Sequence, residues 1–230
     1  MTYESIVEGT FLERPNRFLA RVLVDGREVM AHVKNTGRCR ELLIPGVCVY
    51  LQENHDLKRK TAYSLITVKK GEQLVNMDSQ APNTVAWEYI SQGNIIGPAA
   101  VIQREKKFGD SRFDLYYEKD NGTAMGAGFI EVKGVTLEAD GVARFPDAPT
   151  QRGLKHVYEL AHAVEAGYAA GIIFVIQMKP IRYFTPNVEA QPEFLTALKT
   201  VAAKGVFIKA FECEVTEDSL EISAEVPVIL

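Results

Sequence analysis

Residues 171–177, GIIFVIQ, are apolar almost without a break. A strand that alternates apolar and polar side chains can face water on one side, whereas an uninterrupted one must be covered on both. This segment therefore predicts the interior of a sheet with helices on its two faces. From Gln151 the spacing becomes helical, with Leu154, Val157, Leu160, Ala161 and Val164 on one face and Gly167 ending the run. A second helix is expected over 193–203, then a strand over 206–215. Strand, helix, strand, helix, strand requires two crossovers and predicts a mixed sheet with parallel members.

Three more strands precede that unit: AAVIQREKKFG (99–109), SRFDLYYEKD (111–120) and GFIEVKGVTLE (128–138), with Asp120-Asn121-Gly122 in the second connection. A helix is expected over 83–93, with Asn83 as its N-cap and Gly93 as its stop. The first 80 residues follow a different grammar. Segments 17–24 and 27–33 flank Asp25-Gly26, a favoured hairpin turn, and strands are expected over 47–53, 63–69 and 73–77, with Lys70-Gly71 in the last turn. Five short strands predict a small OB-like barrel. The fold expected is α/β with an all-β part, divided into residues 1–82 and 83–230.

At 230 residues and 47% hydrophobic content the chain can bury real cores. Three cysteines cannot form a disulfide framework, no apolar run approaches the roughly 20 residues of a membrane span, and the start lacks the pattern of a signal peptide. A reduced, cytoplasmic protein without membrane contact is expected. The net charge of −4 hides a gradient. Residues 1–80 carry 12 basic and 10 acidic side chains, a net of +2, whereas residues 212–230 carry six acids and no base. The N-terminal excess leans only slightly toward a polyanionic partner.

The chemistry is concentrated in Ser111-Arg112-Phe113-Asp114 and Phe129-Ile130-Glu131-Val132-Lys133. On a strand Glu131 and Lys133 share a face while Val132 points into apolar packing. Asp114 lies one strand earlier and reaches Glu131 if the two strands pair. Charges on otherwise apolar strands cost several kcal/mol unless they are paired or bind metal. Two converging carboxylates repel, and a hard divalent cation, Mg²⁺ or Mn²⁺, relieves that repulsion. The lysine then orients a water or stabilises charge on a phosphate, which is the equipment of metal-assisted phosphodiester hydrolysis. The competing reading is a Glu131–Lys133 ion pair on an exposed strand face.

Asp114, Glu131 and Lys133 on consecutive strands resemble the PD-(D/E)xK nuclease superfamily, with Phe113 in place of that motif's proline. The resemblance implies a restriction-endonuclease-like mixed sheet, metal bound by Asp114 and Glu131, and Lys133 assisting the nucleophilic water. It also suggests a further acid on the preceding helix, for which Glu88 is the candidate ligand. HVKNTGRCRELLIPG (32–46), EVKGVTLE (131–138), RFPDAPTQRGLKHVYEL (144–160) and the terminal VPVIL together resemble the sugar fermentation stimulation protein family. That likeness implies an N-terminal OB-like domain, a C-terminal nuclease-like domain, and non-specific DNA binding linked to maltose metabolism genes. Two functions stay open on the sequence: a Mg²⁺- or Mn²⁺-dependent nuclease acting on DNA or RNA, and a non-catalytic DNA-binding regulator that retains the fold. Many folds of this type are homodimers, although no interface signature is visible.

Thr150 is expected to cap the helix that follows it. Arg152 and His156 lie one turn apart; they either reach the site, Arg152 toward a phosphate and His156 toward the lysine or a water, or form a surface pair. Arg14, Arg17, Arg38 and Arg112 are the other expected nucleic-acid contacts, Arg38 in a loop with Gly37. Lys58, Arg59 and Lys60 would extend a basic track along the barrel. Phe11, Phe18, Tyr50 and Tyr63 are aromatics available for stacking, each also readable as core, and Trp87 is expected between the domains. No zinc-ligand spacing, phosphate-cradling GxxxxGK[ST], dinucleotide GxGxxG or hydrolase GxSxG is present.

Overall fold

The structure, a computed structural model, describes residues 1–35, 37–56, 58–119 and 126–230. The expected turn at Asp120-Asn121-Gly122 lies outside the described residues. The first element is β1, Ile6–Asn16, which no sequence expectation covered. It is followed by β2 (Leu19–Val24), β3 (Arg27–Val33), β4 (Cys48–Glu53), β5 (Tyr63–Lys70) and β6 (Gln73–Asn76). β1 pairs antiparallel with both β2 and β4, β4 with β5, and β5 closes the circle by lying parallel to β3. The result is a closed five-stranded barrel of OB topology, in which no strand edge is left open. Its inside is filled by alternate residues such as Val22, Val24, Ala31, Val33, Val49 and Leu51.

The β2–β3 turn is at Asp25-Gly26, with φ of 47° and 75° as a tight primed turn requires. The last turn falls one residue later than expected, on Gly71-Glu72 between the paired Lys70 and Gln73. β6 is not a barrel strand; it only extends β5 toward the second half of the chain.

That half begins with α1 (Ala81–Ser91), β7 (Val101–Phe108), β8 (Ser111–Glu118) and β9 (Ala127–Val135). The small strands β10 (Leu137–Ala139) and β11 (Val142–Phe145) lead to α2 (Gln151–Glu165), β12 (Ala169–Ile176) and β13 (Tyr183–Pro186). The chain ends with α3 (Pro192–Ala203), β14 (Phe207–Val215) and β15 (Leu220–Val226). A mixed six-stranded sheet runs β15-β14-β12-β9-β8-β7, with β12 parallel to β14 and β9. As the apolar run demanded, β12 is covered on both faces. Ile172 and Phe174 pack with the side chains of α2 and α3, while Ile173 and Val175 pack with those of α1. The segment GFIEVKGVTLE is split, because β9 belongs to this sheet and β10 to a three-stranded sheet β10-β11-β13.

Barrel and sheet share one apolar cluster, and polar ties cross between them. Lys70 Nζ lies 2.6 Å from Glu138, and the buried Gln177 amide donates to Asn76 and Asp78. Two expectations fail at α1. Asn83 is not its cap, since the helix opens at Gln80 with Ala81-Pro82 as its first residues. Trp87 does not lie between the domains; it is exposed, because α1 packs on the sheet and not on the barrel. Cys39, Cys48 and Cys213 are all free thiols.

Candidate active site

Two strand ladders break at Asp114. β8 pairs with β9 from Glu118↔Ala127 to Leu115↔Ile130 and no further, although β9 continues beside β12 to Val135↔Ile176. On its other side β8 pairs with β7 at Arg104↔Leu115 and Lys106↔Phe113 but skips Asp114, opposite which Glu105 adopts a left-handed φ of 56°. Freed from both neighbours, Asp114 uses its side chain where a backbone partner would have been. Its Oδ2 accepts from the Val132 N–H at 2.8 Å, and its Oδ1 accepts from Asn83 Nδ2 at 2.7 Å.

On β9 the alternation works as expected. Val132 joins Ile130 in the core under α1, while Glu131 and Lys133 face α2. Glu131 is 2% exposed, and its Oε1 takes two donors, Lys133 Nζ at 2.5 Å and His156 Nδ1 at 2.6 Å. Its Oε2 is buried with no hydrogen-bond partner. Such an oxygen is costly in a protein interior unless something outside the chain binds it.

The two carboxylates are tuned apart. Burial, then the negative charge of Glu131, pushes the Asp114 carboxyl up to about 6. Burial acts on Glu131 in the same direction, but the His156 hydrogen bond and the Lys133 ammonium outweigh it and hold the carboxyl below its ordinary value. Glu131 is thus the standing anion, and Asp114 is the group that a cation would make easier to ionise.

Asp114, Glu131, Lys133, His156, Arg112 and Arg152 line one cleft of about 270 Å³. Arg112 and Arg152 are exposed at its mouth, Arg112 lying 3.2 Å from Glu105. α2 delivers His156 in a fixed place because its N-cap is Thr150, whose hydroxyl accepts from the Gly153 N–H. His156 is buried against Glu131, so Arg152 and His156 are not a surface pair. Among the described residues no group of three or more His, Cys, Asp or Glu side chains gathers as a metal cage. Two carboxylates with one unclaimed buried oxygen fit instead a hard divalent cation that keeps waters and shares oxygens with a substrate.

Glu88 is a correction. It pairs with the Met1 ammonium at 2.9 Å in a separate cleft beside Glu221 and Ile222. Five residues on a helix turn the side chain by about 140°, so α1 cannot bring both Asn83 and Glu88 to Asp114. Asn83 is the helix residue that arrives, and sequence reasoning had assigned it to a cap.

The barrel arginines lie elsewhere. Arg14, Arg17 and Arg38 line a groove of about 320 Å³ with Arg40, which the sequence reading passed over. Arg14 donates to four backbone carbonyls, those of Arg17, Asn35, Gly37 and Arg38. It is therefore a clamp that shapes the loop, and Arg17, Arg38 and Arg40 carry the exposed charge. Of the four barrel aromatics Phe18 alone is exposed, with the Arg17 guanidinium 4.8 Å over its ring; Phe11 and Tyr50 are core and Tyr63 is half-buried.

Comparison with known proteins places this architecture. A family profile described as the SfsA N-terminal OB domain matches residues 12–77, and one described as the sugar fermentation stimulation protein RE domain matches residues 80–219. A sugar fermentation stimulation protein homolog from Desulfitobacterium hafniense (strain Y51) is 55% identical over 221 residues, covering 96% of this chain and 95% of that protein. One from Clostridium beijerinckii is 51% identical over 230 residues, covering all of both. A solved structure described as Pyrococcus furiosus SfsA in complex with Ca²⁺ is similar with a TM-score of 0.88 and 27% identity, over 100% of this chain and 98% of that one.

Proposed function

The chain belongs to the sugar fermentation stimulation protein family, and from that premise we propose that it is a Mg²⁺- or Mn²⁺-dependent nuclease, hydrolysing the phosphodiester bonds of DNA, or of RNA, largely without regard to sequence. One observation carries the reading: the buried, partnerless Oε2 of Glu131 in a cleft that also holds the Asp114 carboxylate. The calcium complex described for the Pyrococcus furiosus relative supports a hard, oxygen-seeking cation.

Asp114 and Glu131 would hold the cation. Bound there, it would supply a Lewis acid that lowers the pKa of a water and offsets charge on the phosphate. The chain's own residues do the rest. Lys133 spends one ammonium proton on Glu131 and keeps others to orient the attacking water and to stabilise the negative charge that develops on phosphate oxygen. His156 ties Glu131 to α2, and Asn83 with the Val132 N–H ties down Asp114, so both carboxylates are set before substrate arrives. Arg112 and Arg152 contact flanking phosphates at the mouth, and Arg17 and Arg38 extend the grip onto the barrel. Binding weakens steeply with salt. Among the described residues no helix is long and apolar enough to cross a membrane, and the three cysteines are free thiols.

The test is a cleavage assay on labelled single- and double-stranded DNA and RNA in Mg²⁺, Mn²⁺ or EDTA, with Glu131→Ala and Lys133→Ala alongside. Metal-dependent cutting lost in both variants, with binding retained in Lys133→Ala, is the expected result. Salt-sensitive DNA retention with no cutting would replace the nuclease by a DNA-binding regulator.

A further inference from the structure

Three clefts of this molecule are neighbours that share lining residues. The barrel groove bordered by Arg17, Arg38 and Arg40 meets a second cleft, of about 170 Å³ between barrel and sheet, at Gly37. That second cleft meets the Asp114–Glu131 cleft at Ser79 and Phe145. Taken in order, the three clefts form a row from the exposed guanidiniums of the barrel to the two carboxylates.

The first boundary in that row explains a glycine. Gly37 does not adopt the left-handed backbone that calls for glycine elsewhere in the chain. What it lacks is room: a Cβ there would lie 2.6 Å from Asp147 Oδ2 and 2.9 Å from Asn35 Oδ1. The missing side chain lets the loop pack directly against Asp147 and Asn35 where the two clefts abut.

The middle cleft is polar and mixed. Arg144 and Asp147 line it, and neither forms an ion pair among the described residues. Gln177 spends its amide nitrogen on Asn76 and Asp78, which leaves its carbonyl oxygen as an acceptor. A donor fork, a carboxylate and an amide oxygen within one small cleft match the edge of a nucleobase. A paired base also presents groove edges, but a cleft of about 170 Å³ has no room for a base pair, so the base it takes is an unpaired one. Next in sequence to Arg17 of the barrel groove, exposed Phe18 carries that guanidinium over its ring, and the pair is a platform on which another base can stack.

The geometry points to a single-stranded nucleic acid as the occupant of this row of clefts: backbone across Arg17, Arg38 and Arg40, one unpaired base between Arg144 and Asp147, and the scissile phosphate at Asp114 and Glu131. This rests on the nucleic-acid reading of the site and adds the strandedness of the substrate and the place where a base is held.

Fluorescence anisotropy of labelled oligonucleotides on the full chain in EDTA separates binding from cutting. Single-stranded DNA or RNA should bind at least about tenfold more tightly than a blunt duplex of the same sequence, and the tighter of the two single strands identifies the sugar. Arg144→Ala, Asp147→Ala and Phe18→Ala should each weaken single-strand binding about tenfold and leave the weaker duplex binding unchanged. Gly37→Val, whose side chain would push Asp147 and Asn35 aside, should do the same, and a parallel urea melt checks that it folds. Equal or tighter duplex binding, or single-strand binding that none of the four substitutions changes, overturns the inference while metal-dependent cutting can still stand. Loss of salt-sensitive binding to every oligonucleotide would overturn the inference together with the function proposed above.

Discussion

Two regions of this protein bury carboxylates against lysine, and they arrange the donors differently. At the junction of barrel and sheet, Asp78 meets Lys34 through Oδ2 at 2.8 Å, while its Oδ1 accepts the Gln80 N–H. Glu138, also at the junction, meets Lys70 through Oε2, and its Oε1 accepts the Gly141 N–H. Both oxygens of each of these two carboxylates have a donor. In the cleft, Lys133 and His156 crowd onto one oxygen of Glu131 and leave the other with none. A buried acceptor left unmade costs about 1–3 kcal/mol, more when charged. The junction avoids that cost and the cleft carries it. The same Glu–Lys chemistry thus serves as a rivet in one place and as a site open to a ligand in the other.

The sharpest way to break this contrast is to neutralise one glutamate in each region. Glu131→Gln should slow metal-dependent cleavage by about 10²–10³-fold with cooperative unfolding retained, whereas Glu138→Gln should leave the rate unchanged. Comparable loss in both variants would erase the distinction. Stability should move the other way. Lys34→Ala leaves Asp78 buried with neutral donors in place of its cation and should cost about 3 kcal/mol in urea unfolding, since breaking a buried pair is expensive. Lys133→Ala should cost less than half of that, because His156 still donates to Glu131. A larger penalty at Lys133 would make the cleft a rivet too.

Asp114 sharpens the contrast through pH. Its folded carboxyl titrates at about 6, against an ordinary 3.8. Protonation therefore favours the folded state: the contribution is full below about pH 4 and is lost as pH rises through about 6. Asp114→Asn removes the ionisation and should make the metal-free protein more stable than its parent above pH 6, by about 2 kcal/mol, in thermal melts with EDTA from pH 4 to 8. A variant less stable than its parent at pH 7 would place Asp114 with Asp78 as a structural acid. The smallest effect is expected at Glu105, whose left-handed φ of 56° sits where the β7–β8 ladder skips Asp114. Glu105→Gly should raise stability by about 0.5–1 kcal/mol, read from the urea midpoint. A loss would mean that the Glu105 contact with Arg112 outweighs the backbone strain.

Much of the site was legible because it depends on short-range rules. Alternation along one strand puts Glu131 and Lys133 together, and strand adjacency brings Asp114 within reach. β1 was illegible for a local reason as well. Register shifts between Phe11 and Glu13 and between Glu13 and Asn16 bend the strand to close the barrel, and this erases the two-residue period that would have announced it. Asn83 was misread because an asparagine at a helix start serves equally as a cap, and Glu88 because an acid on the right helix need not be on the right side of it.

By itself the sequence determined the kinds of elements, the doubly covered strand β12, the Asp25-Gly26 hairpin, and the three residues at the heart of the cleft. Only the tertiary structure decided that Asn83 and not Glu88 supports Asp114, that Arg14 is a clamp, and that Glu131 keeps one oxygen unclaimed. The physical reason is range. Periodicity and turn chemistry act over a few neighbouring residues, whereas the donors around a buried carboxylate are set by helices and strands that meet only when the core packs.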